Sequence, residues 1–269
     1  STLRTRGWEI SLNWKHALEN GLSYNLGISL YDYKSVVTKY FNPTGTLSTW
    51  YEGAEVGDIW GYTVNDLFRS QEDLDSYLSK VDMTHIAANW NTGDLKYEDI
   101  NHDGKVNNGT NTIGNHGDLS VIGNDQPHYQ YTINGGVSYK GFDFSMLWRG
   151  VAKKDMYFYR GSNIYWGFMG GWWESCLTPE HLDYFRDQPG SKYSGLYEGD
   201  ANINTDAYWP RPYLNNTEEA KNKNHANTRY LQNAAYLRLQ NVQLGYSFPR
   251  SITSKMHLEK LRIYFSGEN

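Results

Sequence analysis

The chain has no long apolar run, almost no cysteine and no surplus of positive charge. Its mean hydropathy is −0.72, and no stretch approaches the ~20 consecutive apolar residues that a membrane-spanning helix needs. This excludes a helical membrane protein. The single cysteine, Cys176, excludes an internal disulfide, and the net charge of −5 argues against nucleic acid as a partner.

Catalytic patterns are missing as well. The sequence contains no Gly-rich phosphate loop and no G-x-S-x-G turn, and its histidines do not have metal-ligand spacing. Cys176 lies in a Trp-Trp-Glu-Ser-Cys stretch with no His/Asp arrangement that would activate its thiol. We therefore predict that the chain is not an enzyme.

Aromatic residues are what the chain has in excess. They make up 16% of it, with 23 Tyr and 10 Trp. Such a surplus fits aromatic girdles at a membrane interface, sugar-stacking sites or an ordinary all-β core. Composition alone does not choose among the three.

The most regular pattern lies between Tyr129 and Gly150. Apolar and polar residues alternate up to Tyr139, and the alternation resumes at Phe142. Only Lys140-Gly141 separates the two runs, which predicts two long antiparallel strands joined by a tight turn.

Four further segments alternate in the same way. Several approach the ~9–11 residues of a tilted membrane strand. A change of phase near Asn241 predicts a bulge in one of them. The predicted strands cover about Gly7–Lys15, Leu22–Tyr33, Ala235–Phe248 and Leu258–Ser266.

Two long, irregular segments, residues 35–127 and 154–233, separate these strands. Ser70–Val81 is predicted to form a helix with Ser70 as N-cap, and Thr178–Arg186 a short helix with Pro179 in its first turn. Long connections alternate with short turns, as in outer-membrane barrels with long extracellular loops and short periplasmic turns. We therefore expect an all-β fold, an antiparallel transmembrane β-barrel, with both long segments extracellular.

A calcium-type loop precedes the hairpin. Its sequence places oxygen-bearing side chains at the first, third and fifth positions and a glycine, Gly104, at the sixth. The twelfth position, which should be Glu, is Thr110, so Asp118 is the candidate for the late carboxylate. The alternative is an Asx-rich turn without metal. The candidate ligands of a structural Ca2+ are Asp99, Asn101, Asp103, Lys105 (through its carbonyl), Asn107 and Asp118.

A second group of candidates is aromatic. Tyr165, Trp166, Trp172 and Trp173 are candidates for contact with a substrate, either by stacking on sugar rings or by lining a lumen. The favoured alternative is that they pack the long segment onto its neighbours. Lipid-facing or interfacial anchors are predicted at Trp8, Trp14, Tyr24, Tyr129, Tyr139 and Trp148.

Several short motifs occur in one order along nearly the whole chain. Together they resemble the C-terminal barrel region of the SusC/RagA family of TonB-dependent outer-membrane transporters. The motifs are Gly7–Leu12, Ile59–Tyr62, Gly93–Lys105, Val121–Asn124, Tyr139–Ser145, Ala235–Tyr246 and Leu261–Asn269.

The resemblance implies a bacterial outer-membrane receptor in contact with lipid. Residues 1–269 would be the C-terminal part of a barrel of about 22 strands, contributing six of them. A plug domain outside this chain would couple transport to TonB. A SusD-like lipoprotein would cover the extracellular loops, and the substrate would be a glycan or a peptide too large for passive porins.

One alternative belongs to a different class. A soluble, secreted, calcium-stabilised β-sandwich that binds glycans would use the same alternation and the same aromatic residues. It predicts short strands whose aromatic side chains form the core.

Overall fold

The computed structural model describes most of the chain. Within the described residues, no helix combines the length and the apolar character that crossing a membrane requires. The described ranges are residues 1–159, 163–170, 176–192, 197–213 and 216–269.

The chain divides into two compact units, which we call the sheet unit and the loop unit. The sheet unit comprises Leu3–Val36, Gln126–Asp155 and Asn233–Asn269. The loop unit comprises Ser1–Thr2, Val37–Asp125 and Met156–Gln232.

One six-stranded sheet contains all the strands predicted from alternation. The strands follow one another across the sheet in chain order, which makes it a meander, and every pairing with a resolved register is antiparallel. The strands are β1 (Thr2–Ala17), β2 (Ser23–Lys39), β7 (His128–Tyr139), β8 (Phe142–Lys153), β11 (Tyr236–Ser247) and β12 (Arg262–Glu268).

The hairpin of β7 and β8 has the predicted two-residue turn. Tyr139 lies opposite Phe142, so only Lys140 and Gly141 form the turn. Both have positive φ, 47° and 90°, as a type I′ turn requires. The predicted irregularity is confirmed too, because the pairing of β8 with β11 shifts register between Leu239 and Asn241.

Large apolar side chains of the sheet unit are exposed. Ile10 and Leu12 on β1 are each 64% exposed, and Trp14 is 59% exposed. A β-sandwich would bury one face of such a strand against a second sheet, whereas a barrel wall presents it to lipid. The predicted anchors Trp8, Trp14, Tyr24, Tyr129 and Tyr139 are all exposed, while Trp148 is half-buried.

The long segments are more ordered than the sequence predicts. They carry short strands, which pair as β3 with β6, β4 with β5, and β9 with β10. The strands are β3 (Asp58–Tyr62), β4 (Val64–Leu67), β5 (Leu95–Tyr97), β6 (Leu119–Asn124), β9 (Asp155–Tyr157) and β10 (Leu231–Asn233). The expectation of largely irregular chain is therefore wrong here.

Helices are short throughout. The α-helices are α1 (Gln71–Leu78), α2 (Asn163–Trp166), α3 (Asn216–Lys223) and α4 (Arg250–Thr253). The 3-10 helices are Gly167–Gly170, Pro179–Leu182, Asp200–Asn202 and Ser254–Met256.

Of the two predicted helices, one is confirmed and one is wrong in extent. Ser70 caps α1, because its side chain accepts a hydrogen bond from the Asp73 amide at 3.1 Å. The helix expected over Thr178–Arg186 is reduced to a 3-10 turn, Pro179–Leu182. It ends there because the following chain pairs elsewhere: the Phe185 amide donates to the Trp209 carbonyl at 3.0 Å.

The two long segments share one hydrophobic core. At their junction the Tyr62 amide donates to the Ala226 carbonyl at 2.8 Å, and the Thr228 amide donates to the Tyr62 carbonyl at 3.1 Å. Burial of each large apolar side chain stabilises the fold by ~1.5–3 kcal/mol. The shared core therefore holds the two segments together in the way that the core of a soluble domain holds its elements. Core residues include Leu67, Phe68, Leu95 and Tyr97 from the first segment and Trp166, Met169, Trp209 and Tyr230 from the second.

Candidate functional site

The calcium-type loop Asp99–Asn107 turns its side-chain oxygens toward its own backbone. Asp99 accepts hydrogen bonds from the amides of Asp103 (3.2 Å) and Gly104 (2.8 Å). Asn101 Oδ1 accepts from the Asp103 amide at 2.9 Å, and Asp103 Oδ1 accepts from the Lys105 amide at 2.9 Å. The turn at Gly104 has φ 82°, a conformation that favours glycine.

Asp118 closes this loop from outside it. The side chain is fully buried, and its two oxygens accept from the amides of Ile100 and Asn107, each at 2.8 Å. The preceding residue is Gly117, with φ 56°, where a Cβ would lie 2.4 Å from the Asn107 carbonyl oxygen. The chain can approach so closely only because glycine stands there.

The donor set of the loop consists of oxygens, which suits Ca2+. A carboxylate oxygen that accepts one amide hydrogen bond keeps a second lone pair. Asp99 and Asp103 therefore retain lone pairs that could coordinate a metal ion. Thr110, by contrast, directs its hydroxyl to the Asn115 carbonyl at 3.3 Å. No group of three or more His, Cys, Asp or Glu side chains in the described ranges is placed to hold a metal. Calcium here stays a prediction. Its candidate ligands remain Asp99, Asn101, Asp103, the Lys105 carbonyl, Asn107 and Asp118.

Of the aromatic candidates, Trp166 lies in the core of the loop unit and Tyr165 packs against that core. Trp166 is 1% exposed, and its indole N–H donates to the Phe158 carbonyl at 2.8 Å. Tyr165 packs edge-on against Trp209 at 5.3 Å, and burial raises the pKa of its hydroxyl. Trp166 therefore has no face for a ligand and packs the segment instead. Trp172 and Trp173 lie outside the described residues.

A buried polar cluster links the two long segments, which sequence reasoning missed. At its centre, Lys221 Nζ lies 2.8 Å from Asp94 Oδ2, and both side chains are 0% exposed. Asp94 Oδ1 accepts from the Tyr213 hydroxyl at 2.8 Å and from Asn222 Nδ2 at 2.9 Å. Lys221 Nζ also lies 3.2 Å from Glu218 Oε2.

Glu219 adds a second buried carboxyl beside this cluster. It is 1% exposed. Oε2 accepts from the Tyr213 amide at 2.7 Å, while Oε1 has no hydrogen-bond partner among the described residues. Burial, and to a smaller extent the Asp94 charge, raises the pKa of Glu219 to about 8, against the lowering effect of the Tyr213 amide and of Lys223 and Lys221. Glu219 is therefore protonated at neutral pH.

The cluster binds sequence-distant parts of the chain to one another. Buried ions are tolerated only when they are paired and hydrogen-bonded, and Asp94 and Lys221 meet that condition only when the second segment lies on the first. Asp94 belongs to the Gly93–Lys105 motif, but the sequence offers no local signal that its partner is Lys221.

Comparisons with known proteins agree with the fold described above. No family model matches the chain. TonB-dependent receptor P3 of Formosa agariphila is 22% identical over 222 residues, covering 81% of this chain and 18% of the receptor. TonB-dependent receptor P26 of the same organism is 22% identical over 280 residues, covering 100% of this chain and 24% of the receptor. The chain is related to TonB-dependent receptors.

Solved structures agree on the fold. A structure of the RagAB peptide transporter superimposes with a TM-score of 0.63 at 14% identity, covering 99% of this chain and 25% of that one. The RagAB peptide importer in an open-open state gives 0.56 at 16% identity with the same coverages. The resemblance to TonB-dependent receptors read from the motifs is thus confirmed, and the chain shares its fold with the RagAB structures. The chain spans about a fifth to a quarter of the receptor relatives it matches.

Proposed function

We propose that this chain is part of the barrel wall and outer loops of a TonB-dependent receptor that imports nutrients across the bacterial outer membrane. Two observations together carry the proposal. The six-stranded meander exposes large apolar side chains, and the whole of this chain is similar to part of such a receptor. The chain itself performs no catalysis in this proposal.

The proposal assigns separate roles to the two units. The sheet unit faces lipid, and the two long segments, residues 35–127 and 154–233, face outward. There they contact the substrate, an oligosaccharide or a peptide, and a SusD-like lipoprotein that covers them. Energy comes from TonB through a plug domain outside this chain.

The test uses the full-length receptor in its own host. Deleting its gene should abolish uptake of its substrate, and depleting TonB should do the same while leaving receptor levels unchanged. The receptor should also co-purify with a lipid-anchored partner. A full-length protein that folds as a soluble monomer without detergent would instead support the secreted glycan-binding module.

We further propose that the loop Asp99–Asn107 holds a structural Ca2+. A ligand present at 100 times its Kd stabilises the folded state by about 2.7 kcal/mol, so adding Ca2+ after chelation should raise the melting temperature of the full-length receptor. Asp99→Asn and Asp103→Asn should remove this response, whereas Asp75→Asn, an exposed carboxylate on α1, should retain it. A melting temperature indifferent to Ca2+ in the unsubstituted receptor would contradict the proposal.

A further inference from the structure

An open cleft in the loop unit lies where the two long segments meet. Its volume is about 500 Å³, within the range of small-molecule sites. The first segment contributes Asn89, Trp90 and Asn91, and the second contributes Tyr213 and Glu218. We call it the Trp90 cleft.

The aromatic wall of the cleft is rigid. The Trp90 indole N–H donates to the Ala87 carbonyl at 3.0 Å. The ring also makes edge contacts with Phe68 and Tyr97, at 6.3 and 6.2 Å between centroids. These contacts fix the indole while leaving it only half-buried. A fixed, partly open aromatic ring is a surface on which a ligand with an apolar face can stack at little entropic cost.

The rim of the cleft consists of oriented amides. Asn89 Nδ2 donates to Glu218 Oε1 at 3.3 Å, and Asn91 Nδ2 donates to the Tyr213 hydroxyl at 3.1 Å. Neither amide oxygen accepts a hydrogen bond within the described ranges, and each amide nitrogen keeps its second hydrogen. The rim thus offers both donors and acceptors, which matches hydroxyl groups.

The charged groups around the cleft disfavour ligands that are themselves ions. Lys221 Nζ already occupies the cation position, 4.5 Å from the centre of the Tyr213 ring and 5.6 Å from that of Trp90. Glu218 is engaged by Lys221 and Asn89, so a cationic side chain finds its place taken. An anionic ligand meets the half-buried Glu218 carboxylate. The described residues that line the cleft include no lysine or arginine, and Lys221 lies behind them with its side chain 0% exposed.

We propose that the Trp90 cleft binds a sugar ring of a neutral oligosaccharide, with one face on Trp90 and its hydroxyls on Asn89 and Asn91. A pyranose has an apolar C–H face and equatorial hydroxyls that both donate and accept, so it meets all three requirements at once. The inference narrows the substrate class, and for its biological meaning it rests on the proposed import function.

The experiment measures binding to the purified full-length receptor in detergent by calorimetry. The probes are short neutral oligosaccharides of glucose, galactose and mannose, their sulfated counterparts, and lysine-rich peptides. At least one neutral series should bind, and Asn91→Ala should raise its Kd by about tenfold, the equivalent of about 1.4 kcal/mol. Gln71→Ala, which removes an exposed amide on α1, should leave Kd unchanged.

Several results would overturn the cleft. They are binding of none of the neutral series, preference for the sulfated sugars or the peptides, or a Kd unaffected by both Asn91→Ala and Asn89→Ala in receptor of normal melting temperature. Uptake by cells separates the two proposals. If a sugar binds in a way that depends on Asn91 but is not taken up through TonB, the import proposal is refuted and the cleft proposal stands. If a sugar is taken up but its Kd does not change on Asn91→Ala, the cleft proposal is refuted and the import proposal stands.

Discussion

The two units of the chain treat apolar and charged side chains in opposite ways. The loop unit buries Tyr97 completely and encloses the Asp94–Lys221 ion pair, as a water-soluble domain does. The sheet unit leaves Ile10 and Leu12 more than half exposed, which water would penalise by ~25 cal/mol per Å² of apolar surface. The proposed function explains this difference, because it places the sheet unit in lipid and the loop unit in water. The loop unit is a compact body of its own.

Breaking the Asp94–Lys221 pair should test that conclusion most strongly. Asp94→Ala removes the fully buried partner of the Lys221 ammonium and leaves it with the less buried Glu218 carboxylate at 3.2 Å. Breaking a buried ion pair costs about 3–5 kcal/mol. Hydrogen exchange on the full-length receptor should therefore show loss of protection in peptides of the loop unit, while the six long strands keep theirs.

Asp75→Ala is the matched control, because Asp75 is exposed on α1 and accepts a single hydrogen bond from Gln71 at 2.8 Å. It should alter neither unit. Equal loss of protection in strands and loops after Asp94→Ala would show that the two units do not have separate stabilities.

The next largest effect should come from a charge placed on the exposed apolar surface. Leu12→Arg on β1 is expected to cost about 2–4 kcal/mol if the side chain meets the middle of a bilayer. The same change at Phe41 in the loop unit, 89% exposed, should cost almost nothing because that residue meets water.

The measurement is the amount of folded, heat-modifiable receptor in outer-membrane fractions. Leu12→Arg should lower it and Phe41→Arg should not. If both substitutions are tolerated equally, the exposed face of β1 does not meet lipid.

The same contrast explains what sequence reasoning could predict. Alternation has a period of two residues, so the strands and the Lys140–Gly141 turn follow from neighbours in the chain. The Ser70 cap and the shift at Asn241 are also local signals. All of them describe the sheet unit or single short elements.

The order of the loop unit depends on distant pairs and could not be predicted in this way. Trp166 enters the core because Trp209 and Tyr230 close over it, and nothing beside Trp166 in the sequence announces those partners. The Trp90 cleft could not be predicted from the sequence for the same reason, because its walls come from both long segments. The calcium-type sequence pattern did allow Asp118 to be placed near Asp99–Asn107, because only a short stretch of chain separates the two.

The smallest expected effect is the change in stability that Glu219 causes between pH 7 and pH 8, and its sign follows from the direction of the pKa shift. The carboxyl has an ordinary pKa of 4.5, which is raised to about 8 in the folded loop unit. Below the ordinary value the group is protonated in both the folded and the unfolded states. As the pH rises, the unfolded chain ionises first, so stability is lost progressively until the folded pKa is passed.

Glu219→Gln removes this loss because glutamine does not ionise. The variant should match the unsubstituted receptor well below pH 4.5, where the carboxyl is protonated in both states. Its advantage should grow by about 1 kcal/mol between pH 7 and pH 8. Hydrogen exchange of loop-unit peptides across this range measures it, with Glu72→Gln on the exposed face of α1 as the control. A pH-independent difference would mean that Glu219 titrates normally. The polar cluster would then be open to water, and the loop unit would resemble a soluble domain in its apolar core alone.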